Sequence, residues 1–370
     1  MRISKPQRRL WLTGLGVVVL ISVILVSVRI LGSHTLSIED CGAVADDGQD
    51  DVEAIQACID QAQDQRKPLL IPEGQYEMSR SITLTGMIMK GEGAGSILVS
   101  TNPAQGSIIL RGEGVELRDL THRYASVVAR GDGANEKNSI TVTQAEKFGI
   151  HQVTVHKAST AGILVTGGSR NGQVMNNVIQ DTGADGIHIT GESSNITVEG
   201  NKVSGTGDDA IAVVSYKEDK EAVRDIQIRK NNVGYGSSAR GISVVGGKQV
   251  LIDSNTVQDT SMAGIYLASE KNWNTADTLD ITVTHNEIHH TGTRAGSGHP
   301  NLLIYASHGK VDRIRVEDNI LRGAEHDGIG IWGEGEIGEI QFSRNQVEGS
   351  RLSPTKFMKG TVSSDHNLGF

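Results

Sequence analysis

The sequence predicts an all-β chain. It should be a right-handed parallel β-helix over residues 36–349, closed by a short N-terminal capping helix and preceded by one transmembrane helix. Three observations carry this. First, a hydrophobic–x–x–Asn–x–hydrophobic hexad recurs seven times, centred on Asn177, Asn201, Asn231, Asn255, Asn286, Asn319 and Asn345, with gaps of 24, 30, 24, 31, 33 and 26 residues. A period in the twenties with aliphatic residues at fixed offsets is the signature of a solenoid. Second, a short strand of the form small/Gly–Ile–x–aliphatic follows the hexads, as at Gly186–Ile189, Ala210–Val213, Gly241–Val244, Gly264–Leu267 and Gly328–Ile331. Third, the 370 residues include 45 Gly, only 6 Pro and 4% aromatics, which suits many turns around an aliphatic interior.

Taken in order, residues 1–35 stand apart from the fold. Leu10 to Val28 is an uncharged, mostly aliphatic run behind Arg2, Lys5, Arg8 and Arg9. At 1.5 Å per residue it spans about 28 Å, enough to cross a hydrocarbon core. The basic cluster predicts a cytoplasmic N-terminus, an uncleaved anchor in the inner membrane, and a body that is periplasmic or extracellular. Cys41 and Cys58 can pair in such a compartment or serve as two small buried hydrophobes. Asp50 and Asp51 are N-cap candidates for a helix over Asp51–Gln65, whose Val52, Ile55, Ile59 and Ala62 form one apolar stripe. That helix is suited to cover the open first coil.

In the repeats, the hexad asparagines of successive coils should stack about 4.8 Å apart. A buried amide needs partners, and a neighbouring asparagine both donates and accepts, so the repeat predicts an asparagine ladder. Residues 350–370 lack the hexad and are expected to form a C-terminal cap or tail.

The residues before each second strand form a column: Ala161, Asp185, Asp209, Arg240, Ala263, Asn301 and Asp327. Asp185 and Asp209 fall on adjacent coils, with Asp208 beside them. Two unit charges 4–5 Å apart repel by about 3–4 kcal/mol at an effective dielectric near 20. One member should therefore keep its proton to higher pH, placing an acid next to a base, as glycosidic hydrolysis requires. The net charge of −9 argues against a nucleic-acid groove but leaves a polysaccharide, including an acidic one, as the expected ligand.

Two resemblances sharpen this reading. Gly42-Ala43, Asp47-Gly48-Gln49-Asp50-Asp51, Ala54-Ile55-Gln56-Ala57-Cys58-Ile59-Asp60-Gln61-Ala62 and Pro72-Glu73-Gly74-Gln75-Tyr76 resemble the first segment of the pectate-lyase-like β-helix superfamily. Ala184-Asp185-Gly186-Ile187-His188-Ile189 and Gly207-Asp208-Asp209-Ala210-Ile211-Ala212-Val213 resemble the polygalacturonase family of glycoside hydrolases. The second resemblance implies an inverting hydrolase with Asp209 as general acid and Asp185 and Asp208 holding and activating water. The chain departs from that family at Arg240, where the family carries His, and at Tyr266-Leu267-Ala268, where it carries Arg-Ile-Lys to grip a uronate.

His188, Arg240, Tyr266 and Trp332 complete the expected site as substrate-binding residues, with Trp273 and Tyr305 on nearby coils. No cofactor is expected for a hydrolase. A lyase or C5-epimerase is the alternative, with Ca²⁺ on the carboxylates and Arg240 as base; a non-catalytic polysaccharide-binding helix is another. The lengthened segment from Asn286 to Leu302 carries His289, His290 and His299, expected as a polar loop wall rather than a metal centre. An exported, tethered glycan enzyme would also suit a polysaccharide synthesis or export assembly.

Overall fold

A computed structural model describes residues 35–131 and 135–370. The expected anchor over Leu10–Val28 lies outside the described residues; among those described, no helix is long and apolar enough to cross a membrane. From Leu36 onward the chain winds as a parallel β-helix of the right-handed kind, with every strand in the ladders parallel to its neighbours.

Each coil contributes up to three short strands. Thr154–Ala158, Ile163–Thr166 and Arg170–Met175 make one coil, and Val178–Thr182, Ile187–Ile189 and Ser194–Glu199 pair with them in register on the next. Alternate side chains point inward and stack coil on coil. Ile163, Ile187, Ile211, Ile242, Ile265, Leu302 and Ile329 form one such column, and each is fully buried. Each contributes about 1.5–3 kcal/mol by leaving water. β-Branched residues suit this pleated, doubly covered position, so the repeat pattern becomes the core directly.

The asparagine ladder is present. Asn177 Nδ2 donates to Asn201 Oδ1 at 2.9 Å, and the same bond runs on through Asn231, Asn255, Asn286, Asn319 and Asn345. Asn367 adds an eighth rung, accepting from Asn345 Nδ2 at 2.9 Å. From Asn201 onward each Oδ1 also accepts the backbone N–H of the preceding rung, as Asn201 does from Asn177 at 3.0 Å, and Asn177 Oδ1 accepts the Val153 N–H at 2.9 Å. The residue before each rung is left-handed, including Asn176, Lys230, Ser254, His285, Asp318 and Arg344 at φ 53–57°. Such a conformation costs a non-glycine residue of order 1–3 kcal/mol and persists only when its surroundings fix it, which the ladder does.

At the N-terminal end, the helix Val52–Gln65 buries Val52, Ile55, Cys58, Ile59 and Ala62 against the first coils. Asp51 occupies its N-cap position, but its carboxylate serves elsewhere: it accepts from Val44 N at 2.9 Å and Glu77 N at 3.3 Å. Asp50 Oδ1 instead meets Val52 N at 3.3 Å. Cys41 and Cys58 are joined in a disulfide that ties the helix to the preceding turn. At the other end, residues 350–370 form a further coil with strands Thr355–Phe357 and Thr361–Asp365. Phe342, Phe357 and Phe370 close its interior, with ring centroids 5.3–6.3 Å apart.

Candidate active site

The site lies on the face built by the strands Ile163–Thr166, Ile187–Ile189, Ile211–Val214, Ile242–Val245, Ile265–Ser269, Leu302–Ala306 and Ile329–Trp332. Its outward columns follow from the register. His188, Ala212, Ser243, Tyr266, Leu303 and Gly330 form one, and Val245, Ala268, Tyr305 and Trp332 the next. Asp185, Asp209 and Arg240 stand two residues before their strands. The turn there is tight: a Cβ on Gly186 would collide with the Val203 side chain and the Ala210 carbonyl of the next coil. Asn301 departs from the expected column. Leu302 pairs with Ile265, so Asn301 aligns with Gly264 and is buried, bonding Thr291 Oγ1 at 2.6 Å and Arg322 O at 3.2 Å.

Stacking brings the three carboxylates together, with one oxygen of each within 4.8 Å of the others. Asp185 is held from both sides. Its Oδ1 accepts the Asp209 N–H at 2.9 Å, and its Oδ2 lies 2.5 Å from His188 Nδ1. Asp209 Oδ1 accepts the Arg240 N–H at 2.8 Å, and Oδ2 lies 2.6 Å from Ser243 Oγ. Asp208 is the member that faces outward, its side chain 31% exposed against 7% for Asp209, and it pairs with Arg130 Nη1 at 2.7 Å. Burial pushes the Asp209 carboxyl up to about 6; Arg240 opposes this, and Asp185 and Asp208 add to it. The proton-holding member expected from repulsion is therefore present, but desolvation is the larger cause.

Arg240 is clamped. Its guanidinium lies 4.4 Å from the Tyr266 ring centroid, 3.6 Å from Asp209 Oδ1 and 3.5 Å from Glu270 Oε1. Burial opposes its charge, but Asp209, Tyr266, Glu270 and Asp208 outweigh this and raise its pKa further. A base is the opposite of what these surroundings make it. Tyr266 is only 2% exposed, its ring under Arg240 and its hydroxyl donating to Glu270 Oε1 at 2.7 Å.

The donor set also bears on Ca²⁺, which takes six to eight oxygens. Here His188, Arg130, Ser243 and the Arg240 backbone N–H already engage oxygens of the trio, and the guanidiniums of Arg130 and Arg240 offset its charge. The residues present fit a self-neutralised acid–base cluster better than a calcium cage.

Beyond Arg240 the face opens into a cleft of about 670 Å³, lined by Lys271, Trp273, His299, Tyr305 and Trp332 among others. His299 comes from the long loop; burial first, then Arg240, pushes its pKa down to about 4. His290 turns instead to Asp259 at 2.7 Å and His289 to Glu287 at 3.4 Å, so the three histidines do not converge. Sequence reasoning missed Arg130, Ser243, Glu270 and Lys271. Ser243 was reachable from the register of Ile242; Arg130 has no motif and reaches Asp208 across 78 residues of sequence.

The profile of the rhamnogalacturonase A/epimerase, pectate-lyase-like family matches residues 35–292. No curated protein matches the chain. Among solved structures, the catalytic unit of the GH87 α-1,3-glucanase of Streptomyces thermodiastaticus superposes with a TM-score of 0.68 at 20% identity, covering 91% of this chain and 69% of that one. The mannuronan C-5 epimerase A-module of Azotobacter vinelandii gives 0.58 at 16%, covering 89% and 100%. The surface protein and adhesin PfbA of Streptococcus pneumoniae gives 0.72 at 16%, covering 90% and 97%. At these identities the likeness is one of fold.

Proposed function

The chain belongs to the rhamnogalacturonase A/epimerase family of pectate-lyase-like proteins, and from that premise we propose that it is a polysaccharide-active enzyme, a glycoside hydrolase working through Asp185, Asp208 and Asp209. The observation that carries this is the convergence of three carboxylates from adjacent coils beside a saccharide-sized cleft. Asp209 keeps its proton up to about pH 6 and gives it to the glycosidic oxygen, so activity should fall on the alkaline side of that value. Asp185, oriented by His188, and Asp208 hold the attacking water on the exposed side of the trio. The oxygens are closer than the roughly 6.5–9.5 Å gap of a two-carboxylate inverting site, so the water lies over the trio rather than between two walls.

One observation favours an exchange of roles. Asp208 is the exposed member, so an incoming glycan meets it first. The alkaline limb of the pH–rate profile disappears in the variant that lacks the acid, which separates Asp208→Asn from Asp209→Asn. Either substitution, or Asp185→Asn, should lower turnover by at least about 10²-fold with the fold intact. Full activity in both Asp208→Asn and Asp209→Asn would end the hydrolase reading.

The mannuronan epimerase and the adhesin among the structural neighbours keep two other classes in view. A calcium-dependent lyase or epimerase is disfavoured by the occupied carboxylates and by the clamped, charged Arg240. A binding module would retain ligand and yield no product. The proposed setting is outside the cytoplasm, tethered through Leu10–Val28, and the disulfide suits an oxidising compartment. Retention in membranes after carbonate washing, with an N-terminus at or near Met1, tests the tether. The expected acidic substrate rests on exposed basic residues such as Lys271. Association with a polysaccharide export assembly is tested by co-purification from membranes.

A further inference from the structure

The cleft beyond Arg240 has a floor, a platform and a charge balance of its own. Tyr305 and Trp332 are register partners on adjacent coils, so their side chains share one outward column. Trp332 folds back across Gly330, where a Cβ would collide with its ring, so this glycine is what allows the indole to lie along the sheet. Trp273 stands on the facing turn, 69% exposed. An aromatic face backed by protein and turned to an open polar cleft is a surface on which a pyranose ring stacks.

The charges decide which sugar. A uronate needs a lining with a net positive charge. Arg240 is engaged by Asp209 and Glu270, and Lys271, exposed in the lining, is among the described residues the one cation there open to a carboxylate. Glu270 and Glu334 put two carboxylates into the same lining, so its fixed charges cancel. Lys356 lies near Trp332, its Nζ 5.6 Å from the ring centroid, outside this lining. His299 is neutral there, and its Nδ1 is buried without a hydrogen-bond partner among the described residues. Carboxylates and a neutral imidazole recognise hydroxyl groups, and a lining whose charges cancel gives a uronate no net attraction to offset the desolvation of its carboxylate.

We propose that this cleft is a glycosyl subsite for an uncharged sugar residue, stacked on Trp332 and Tyr305 and bonded through hydroxyls to Glu270, Glu334 and His299. The subsite rests on the hydrolase reading only for its place next to the bond that breaks. Its binding can be measured without turnover.

Trp273 and Trp332 are two of the three tryptophans of the chain, the third being Trp11, so tryptophan emission reports on this cleft. The full-length Asp209→Asn protein is titrated with neutral oligosaccharides (α-1,3-glucan, mannan and rhamnan fragments) and with oligogalacturonate and oligomannuronate of matched length. At least one neutral oligosaccharide should quench saturably, and the uronates should bind at least about tenfold more weakly in low salt. Trp332→Ala should weaken the neutral ligand about tenfold, and Trp332→Tyr should restore most of it. Glu334→Lys should improve uronate binding about three- to fivefold. Saturable binding by uronates alone, no binding by any neutral fragment, or no effect of Trp332→Ala would overturn the proposal. Quenching without turnover by the wild-type protein would keep the subsite and remove the hydrolase reading.

Discussion

Replacing Asn255 by Leu in the middle of the ladder tests what holds the coils in register. Four hydrogen bonds go with the amide. Asn255 Oδ1 accepts from the backbone N and from Nδ2 of Asn231, both at 2.9 Å; its Nδ2 donates to Ile228 O and to Asn286 Oδ1, also at 2.9 Å. Asn231 Nδ2 keeps its bond to Val198 O at 3.0 Å, and Asn286 Oδ1 keeps the Asn255 backbone N–H at 2.9 Å. The Asn231 backbone N–H and one Nδ2 proton are left buried without an acceptor. At about 1–3 kcal/mol for each orphaned donor, the loss is roughly 2–6 kcal/mol. The added apolar surface of leucine offsets only part of this, and Ser254 loses support for its left-handed turn at φ 57°. Asn367→Leu removes the same chemistry from the last, partly exposed rung, where water replaces the missing partner, and should cost under about 1 kcal/mol. Urea unfolding followed by circular dichroism reads both, provided each variant shows a single transition with an unchanged slope. Equal effects at the two positions, or a loss below about 1 kcal/mol at Asn255, would refute the ladder as a source of stability.

Three further outcomes follow from the same geometry. Folded Asp209 binds its proton with a pKa of about 6, above its unfolded value near 3.9, so ionising it costs the fold. Its contribution makes stability fall as pH rises from about 4 to about 6, and Asp209→Asn should flatten that part of a stability–pH curve and leave the protein at least as stable at pH 7. Reducing the disulfide, which bridges 17 residues of sequence, should lower stability by about 3 kcal/mol and loosen the capping helix first, seen as early hydrogen exchange over Val52–Gln65. Arg240→Ala should weaken substrate binding more than it lowers turnover, and EDTA should change neither kinetic constant; loss of activity in both experiments would move the reading to a metal-dependent lyase or epimerase.

The repeat was legible because one physical problem recurs in every coil: aliphatic residues must face in, and a buried amide must find its neighbour. Asn367 escaped notice because only the amide half of that pattern is present at its position. The hexad positions around it are Ser364 and Gly369, neither of them aliphatic, so the pattern that marks the other rungs is missing there. Asp185 and Asp209 could be placed on adjacent coils by counting, since Ile187 and Ile211 fix the register. Asn301 could not, because the loop before Leu302 replaces the usual turn and shifts the count by one. Arg130 is invisible to any periodic reading, as its loop reaches the trio from a distant part of the chain. The burial of Tyr266 under Arg240 is a tertiary fact, since a tyrosine at an outward strand position reads as a sugar contact until its neighbour covers it.

Whether the three carboxylates hydrolyse a glycosidic bond is decided by the identity of the product. The full-length protein is incubated with a panel of uronans and bacterial exopolysaccharides while reducing ends and ultraviolet absorbance are followed together. Hydrolysis by the trio gives new reducing ends with no new absorbance on at least one polysaccharide, lost in Asp209→Asn. An absorbing, unsaturated product would contradict it in favour of a lyase, and retained binding with no product on any polysaccharide would contradict it in favour of a binding module.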